Sequence, residues 1–245
     1  MQRQITFILI LLFSLLSNGG FSQNNTSAKE KAAINFTYPT LRKTGKTPMD
    51  VIPKGWDIVD SLSGNISKDS IAAEVVVLEY QDSIKLKKEW EHPRMLLIIF
   101  KAGDNWELKL QHNTLIVRTD ILDGDHFDEY DPYQSMEISK GILRLHFVWT
   151  ERSWGTNLQY VIRYQSNDFY LIGATSEFGH HSDTETFDFN FSTKKYTHHV
   201  ANYDSGFGGE DIDYIEKKTL PANDLKKLSE IKEAFQWQVT EGVSI

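Results

Sequence analysis

The densest group of side chains able to do chemistry lies between Asp120 and Asp131, where the chain reads DILDGDHFDEYD and six of 12 residues are acidic. Asp123, Asp125 and Asp128 surround a glycine, and carboxylate oxygens are ligands that Ca²⁺ prefers. Their spacing differs from that of an EF-hand loop, which has oxygen ligands at alternate positions and a glutamate at its end. The segment therefore predicts either a calcium site at these three aspartates or a solvated acidic loop, which is the usual role of such a run.

A second candidate metal loop, Gly64–Ile71, reads GNISKDSI and precedes an apolar stretch from Ala72 to Tyr80. This pattern resembles the calcium-loop-then-strand unit of FG-GAP/VCBS-type repeats and of a family of uncharacterised exported bacterial proteins. The resemblance implies calcium ligands at Asn65, Ser67 and Asp69. Calcium affinity depends on the number of charged ligands, and this loop keeps one carboxylate and lacks the turn glycine. The alternative is a tight turn in which these side chains bond to nearby backbone.

The same resemblance extends more loosely through the segments Gly141–His146 and Arg163–Gly173. The unit occurs once in this chain, whereas a propeller requires several repeated blades. The shared motifs are strand-and-turn motifs, so the resemblance implies a fold and no catalytic residue.

Histidines and carboxylates suggest two further kinds of site. A zinc site could use His180 or His181 with Asp183 and Glu185 close by, although neighbouring residues of a strand point to opposite faces and rarely chelate one ion. A carboxylate-dependent hydrolase of the cell envelope could use Asp125 or Asp128 as base, with His126 or His146 nearby, if the fold brings these side chains within hydrogen-bond reach.

No motif of established chemistry supports catalysis. The sequence contains no HExxH, GxSxG, P-loop or dinucleotide-binding pattern. We therefore predict no catalytic residue and no cofactor, with calcium as the ion that the acidic loops could take. The expected function is a non-catalytic binding or structural module, with the envelope hydrolase and a calcium-stabilised structural protein as alternatives.

Aromatic residues are the remaining candidates for ligand binding. Trp149, Trp154 and Tyr160 lie in a region rich in rings, close to Arg152 and Arg163. Rings of this kind bind sugars or aromatic ligands when they are exposed on a sheet face, and they also fill the cores of sandwiches. We predict a ligand site at Trp149, Trp154 and Tyr160, with burial in a core as the alternative.

The elements that must position these residues are short strands. Continuous apolar runs such as Val75–Leu78 and Met95–Phe100 are typical of strands buried on both faces. Later segments alternate apolar and polar residues with a period of two, as in Leu143–Trp149, Tyr160–Tyr164 and Phe187–Phe191, which places each apolar set on one side of a strand. The pattern predicts a mainly β fold, either an antiparallel β-sandwich or a strongly bent antiparallel sheet.

One helix is predicted near the end of the chain. Pro221, Asn223 and Asp224 could begin it, and Leu225, Leu228, Ile231 and Phe235 then recur at steps of three and four residues. We therefore expect a single β-rich domain over residues 51–245 with a helix near 224–236 that covers a sheet edge.

The first residues have the pattern of a secretory signal peptide. Arg3 precedes a 12-residue apolar run, Ile5–Leu16, and small or polar residues follow. A spanning helix needs about 20 apolar residues, so we predict a cleaved signal peptide over residues 1–23 and no transmembrane span after cleavage. Residues 24–50 are polar and predict a flexible lead-in.

Composition limits the partners and the compartment. The chain carries 26 basic and 34 acidic residues, a net charge of −8, which argues against nucleic acid or an anionic membrane as partner. The absence of cysteine excludes disulfides, thiolate metal sites and the lipid anchor of bacterial lipoproteins. We expect a periplasmic or secreted protein without a lipid anchor, whose partner is a glycan, a peptide or an envelope component.

Overall fold

The computed structural model describes residues 36–69, 71–81, 93–116, 131–151, 154–180, 183–202, 211–221 and 223–245. The predicted signal peptide, the start of the lead-in, and the acidic segment with Asp123, Asp125 and Asp128 lie outside these ranges. Within them the chain is mainly antiparallel β-sheet, which confirms the predicted fold class. In the part that is described, no helix is long and apolar enough to cross a membrane.

The first sheet, sheet A, has five strands in the order β1-β5-β4-β3-β2. All neighbouring strands in it are antiparallel. The strands are β1 (Thr44–Gly45), β2 (Trp56–Ile66), β3 (Ile71–Tyr80), β4 (Arg94–Ala102) and β5 (Asn105–His112).

The second sheet, sheet B, is a meander of seven antiparallel strands in the order β12-β11-β10-β9-β8-β7-β6. A short hairpin of β13 (Gln238–Thr240) and β14 (Val243–Ser244) follows it, and two 3-10 helices occupy Pro48–Val51 and Leu228–Glu230. The strands of sheet B are β6 (Tyr133–Ser139), β7 (Ile142–Glu151), β8 (Trp154–Gln165), β9 (Asp168–His180), β10 (Asp183–Asn190), β11 (Lys195–Asn202) and β12 (Ile212–Thr219).

The main core lies between the two sheets, as in a β-sandwich. Alternate residues of β3 and β4 share one buried cluster with the apolar face of β7, β8 and β9. Phe100 of sheet A contacts two rings of sheet B directly, with centroid distances of 4.8 Å to Tyr164 and 5.7 Å to Phe169. The period-two alternation of Leu143, Leu145, Phe147 and Trp149 therefore points to this core, as the sequence predicts.

A second cluster covers the other face of sheet A and explains its continuous apolar runs. Val76, Leu78, Met95, Leu97 and Ile99 point away from the main core and are fully buried. Part of their cover comes from the region that the sequence assigns to a flexible lead-in, where Phe36, Tyr38 and Leu41 pack on this face, and Val51 adds to it from the start of the predicted domain. Residues 36–50, the described part of the lead-in, are therefore ordered against the sheet, since an apolar face of this extent requires a cover.

The predicted helix at 224–236 is wrong. The chain there is irregular apart from Leu228–Glu230, and Phe235 has φ +68°, which lies outside the helical region. The apolar side chains are buried as expected, with Leu228 and Ile231 at most 1% exposed. The backbone makes isolated turn bonds, such as Ile231 N–H to the Leu228 carbonyl (3.1 Å), and also bonds to neighbouring segments: Leu171 N–H donates to the Lys226 carbonyl (3.0 Å) and Ala234 N–H to the Leu115 carbonyl (3.3 Å). Tertiary contacts thus override the local preference for a helix, because the same apolar spacing can also be buried by an irregular segment.

Candidate ligand-binding groove

Two tryptophans of sheet B occupy the same face of adjacent strands. Trp149 of β7 lies directly opposite Thr156 of β8, and Trp154 is two residues before Thr156, so all three side chains share one face. This face continues inward to Phe147 and Leu158, which are fully buried. Both tryptophans are partly exposed, because they lie where the core reaches the surface.

The C-terminal segment forms the opposite wall of a groove. The space between the two walls measures about 470 Å³, within the range of about 300–1,000 Å³ that is usual for small-molecule sites. Its lining combines aromatic and polar side chains: Trp149, Trp154, Thr156, Glu233, Ala234, Phe235, Gln236 and Ser244.

Phe235 forms the base of the groove. Its ring centroid lies 6.3 Å from that of Trp149 and 6.2 Å from that of Phe147, and both pairs are edge-on. A non-glycine residue with positive φ costs about 1–3 kcal/mol, so the surrounding structure must hold Phe235 in place. Two flanking hydrogen bonds do so, from Ala234 N–H to the Leu115 carbonyl (3.3 Å) and from Trp237 N–H to the Ile245 carbonyl (2.8 Å).

The polar groups of the groove lie at its rim. Gln236 Nε2 donates to Glu233 Oε2 at 2.7 Å, so an amide and a carboxylate are held side by side next to the aromatic base. Thr156 and Ser244 add hydroxyls. Beyond Trp154 the aromatic surface continues to Phe178, which is 37% exposed and has its ring centroid 5.7 Å from that of Trp154.

Tyr160, the third predicted ligand residue, belongs to the core. It is fully buried, and its ring packs edge-on against Phe147 at 5.8 Å. Burial raises the pKa of its phenol, and the backbone of Phe235 opposes this rise. No partner among the described residues forms a hydrogen bond of normal geometry with the hydroxyl. Tyr160 therefore lies below the groove and supports it from within.

The predicted calcium loop is the hairpin turn between β2 and β3. Ser67 has φ +103° and accepts a hydrogen bond on Oγ from Asp69 N–H (3.2 Å), while Asn65 and Asp69 are exposed. Ser67 N–H donates to the Gly141 carbonyl (3.2 Å), which fixes this turn against the turn between β6 and β7. The geometry is that of the tight turn, and in the described ranges no group of three or more histidine, aspartate or glutamate side chains is arranged to hold a metal ion.

The histidines do not gather into one site in the described part of the chain. His198 Nε2 lies 2.6 Å from Glu185 Oε1, and His199 Nε2 lies 2.8 Å from Asp213 Oδ1, so the two neighbours bond on opposite faces of β11. The side chains of His180, His181 and His126 lie outside the described residues. His146 is on the face of β7 opposite the core residues Leu145 and Phe147.

A larger depression of about 630 Å³ lies between the turn that joins β8 to β9 and the earlier part of the C-terminal segment. Its cationic side chains have partners: Lys227 Nζ lies 2.8 Å from Asp168 Oδ2, and Lys226 Nζ lies 5.1 Å from the centre of the Trp237 ring. We therefore regard the aromatic groove as the better candidate. Of the predicted ligand residues, Trp149 and Trp154 line this groove. The sequence pattern did not indicate Glu233, Phe235 and Gln236, because the apolar spacing around them predicts a helix.

The groove is assembled from segments that are distant in the sequence. Its residues come from β7, β8 and the C-terminal segment, which are brought together only by the fold. No protein-family model, curated protein sequence or solved structure gives a significant match to this chain.

Proposed function

We propose that the protein is a non-catalytic binding module that holds a carbohydrate in the aromatic groove. The observation that carries this proposal is the pair of partly exposed tryptophans, Trp149 and Trp154, beside the Glu233–Gln236 pair. A large apolar ring next to polar groups at the rim matches a ligand that has both an apolar face and a polar edge.

Sugar rings are such ligands. One face of a pyranose presents mainly C–H groups, which an indole ring covers well, while the hydroxyls project from the edge of the ring. The indole also offers an N–H donor beside its apolar body. Glu233 can accept from hydroxyls, whereas Gln236 can both donate and accept. The groove volume of about 470 Å³ accommodates one or two sugar units rather than a protein surface.

Binding is better supported than hydrolysis at this groove. Most glycoside hydrolases place two carboxyl groups about 5–10 Å apart on either side of the scissile bond. Of the described residues that line the groove, Glu233 is the one carboxylate, and Gln236 donates to one of its oxygens. Among the described residues that line the groove, Glu233 therefore has no second carboxyl group with which to share the work of hydrolysis.

The predicted export of the chain fits this proposal. Glycans and other envelope components are the polymers that a periplasmic or secreted protein meets, and the net charge of −8 disfavours polyanions. The signal peptide over residues 1–23 and the compartment remain predictions from the sequence.

The direct test is a panel of neutral oligosaccharides added to the purified chain, with intrinsic tryptophan fluorescence as the readout and product analysis in parallel. We expect a saturable fluorescence change with at least one sugar in the micromolar to millimolar range and unaltered sugar at the end. A panel that gives no change at millimolar concentration, or that is cleaved, would overturn the proposal.

A further inference from the structure

Strand β12 forms an edge of sheet B, with no further strand beside it among the described residues. It is hydrogen-bonded to β11 on one side, and all eight of its residues are exposed. Ile212 and Tyr214 are each 46% exposed and Ile215 is 60% exposed, the highest value among the large apolar residues of the described ranges. Natural edge strands are normally short, covered or guarded by charged side chains, since an open edge pairs with other chains. Strand β12 carries four charged residues together with these three exposed apolar ones.

We propose that β12 pairs antiparallel with the β12 of a second copy of this chain, so that two sheets B join into one continuous sheet. This inference concerns assembly and is independent of what occupies the aromatic groove. It commits to a second copy as the partner because Asp213 and Lys217, placed symmetrically about Ile215, are complementary to the same two residues of a reversed strand.

Symmetry restricts the possible registers. Hydrogen-bonded and non-hydrogen-bonded pairs alternate along an antiparallel ladder, so a two-fold axis between identical strands must place one residue opposite its own copy. With Ile215 at the centre, Asp213 of each copy lies opposite Lys217 of the other. Residues 213, 215 and 217 share one face, so this face would carry an apolar contact between two ion pairs.

Neighbouring registers are less favourable. With Glu216 at the centre, two carboxylates would face each other, and like charges directly opposite are destabilising. With Tyr214 at the centre, Asp213 would face Ile215 and Glu216 would face Ile212, so neither carboxylate would lie opposite a cation. The register centred on Ile215 pairs Asp213 with Lys217 and the most exposed apolar side chain with itself, and on the other face it sets Tyr214 opposite Glu216 and Ile212 opposite Lys218.

The interface is small, which determines how the dimer behaves. Stable protein interfaces bury about 1,600 Å² in total, and pairing along one eight-residue strand provides less than a full interface of that kind. The dimer therefore dissociates on dilution, and its dissociation constant responds to single substitutions.

Sedimentation velocity of the full chain over a range of concentrations tests the proposal. We expect a concentration-dependent monomer–dimer equilibrium. Asp213→Lys places two lysines opposite each other at both ends and should raise the dissociation constant about tenfold. Lys217→Asp should have a similar effect, and the double variant D213K/K217D should restore association. Because Asp213 also bonds to His199, recovery in the double variant separates pairing across the interface from that local contact.

Two further variants complete the design. Ile215→Lys should abolish the dimer, whereas Val59→Lys, at a 42%-exposed apolar residue of β2, should leave it unchanged. Circular dichroism checks that each variant keeps its β structure. A chain that is monomeric at every concentration, or a dimer that neither Ile215→Lys nor the charge reversals weaken, would overturn the proposal.

Discussion

The Nε2 atom of His112 lies 2.8 Å from the backbone carbonyl oxygen of Ile231, and this contact joins the last residue of β5 to the C-terminal segment. The same nitrogen is 3.1 Å from the Leu228 carbonyl, and Nδ1 accepts from Leu115 N–H at 3.1 Å. One nitrogen must carry a proton and the other must not, so the contacts require the neutral imidazole with its proton on Nε2. The segment that carries Phe235 is held by this ring.

Stability should therefore depend on pH through His112. Burial lowers the pKa of His112, and its bonds to the Ile231 and Leu228 carbonyls oppose the shift. An unfolded histidine takes up its proton near pH 6.5, while the folded one does so only at lower pH. The contribution of neutral His112 to the free energy of unfolding is thus fully present above about pH 6.5, and it is lost as the pH falls toward the lowered pKa of His112 in the folded chain.

Urea unfolding of the intact chain between pH 5 and 7.5 measures this effect. We expect the free energy of unfolding to decrease as pH falls through that window, and we expect a smaller slope in His112→Gln, whose side chain does not titrate. Absolute stability can differ between the two proteins, so the comparison uses only the slopes. Parallel slopes would show that His112 is not the group responsible.

A buried arginine provides the second prediction. Arg94, 4% exposed, is 2.7 Å from Glu79 and makes two 2.7 Å bonds to the carboxylate of Asp131. Arg94→Met removes the cation and leaves two carboxylates in a partly buried site, which should lower the free energy of unfolding by about 3 kcal/mol. Arg94→Lys keeps the charge but cannot bond to both carboxylates in this geometry. Its free energy of unfolding should therefore lie between those of the unmodified chain and Arg94→Met. A loss below about 1 kcal/mol in Arg94→Met would contradict the role of this network.

A pair of glycines tests the contact between two turns. Gly141 has φ +77°, and a Cβ there would lie 2.7 Å from the Ser67 carbonyl oxygen, whereas Gly103 has φ +57° with open space around it. Gly141→Ala should therefore lower the midpoint of thermal unfolding more than Gly103→Ala, since only the former adds a steric clash to the cost of positive φ. Equal shifts of the unfolding midpoint in the two variants would mean that the Ser67 turn can move away from the added Cβ without loss of stability.

The sequence is sufficient to predict the strands but not the cover of the core. Alternation in Leu143–Trp149 correctly places four side chains on one face, because period two is a local property of a strand. It does not reveal where along that face the cover ends, so it cannot separate Tyr160, which is buried, from Trp154, which is partly exposed. The course of the C-terminal segment is harder to predict, because it depends on hydrogen bonds to His112 and Leu115, which are distant in the sequence, and to Ile245, which comes back to it across a turn.

The two tryptophans of the groove should contribute to sugar binding, and at Trp154 this contribution can be separated from folding. Trp149→Ala and Trp154→Ala remove stacking surface and should weaken sugar binding about tenfold or more, because an aromatic contact contributes about 0.5–1.5 kcal/mol beyond its buried area. Trp154→Ala should leave the fold intact, since its side chain is partly exposed. Trp106→Ala, on the outer face of sheet A, is the matched control and should bind like the unmodified chain. Equal affinity in all variants would exclude stacking in the groove.

The most direct measurement is a titration of ¹⁵N-labelled protein with the best oligosaccharide of the panel, followed through the indole N–H resonances of the six tryptophans. Single Trp→Phe variants assign the peaks. The proposal predicts progressive shifts of the Trp149 and Trp154 resonances together, with those of Trp56 and Trp106 unchanged. Shifts confined to Trp56, Trp106 or Trp237, or no shift at saturating sugar, would contradict it.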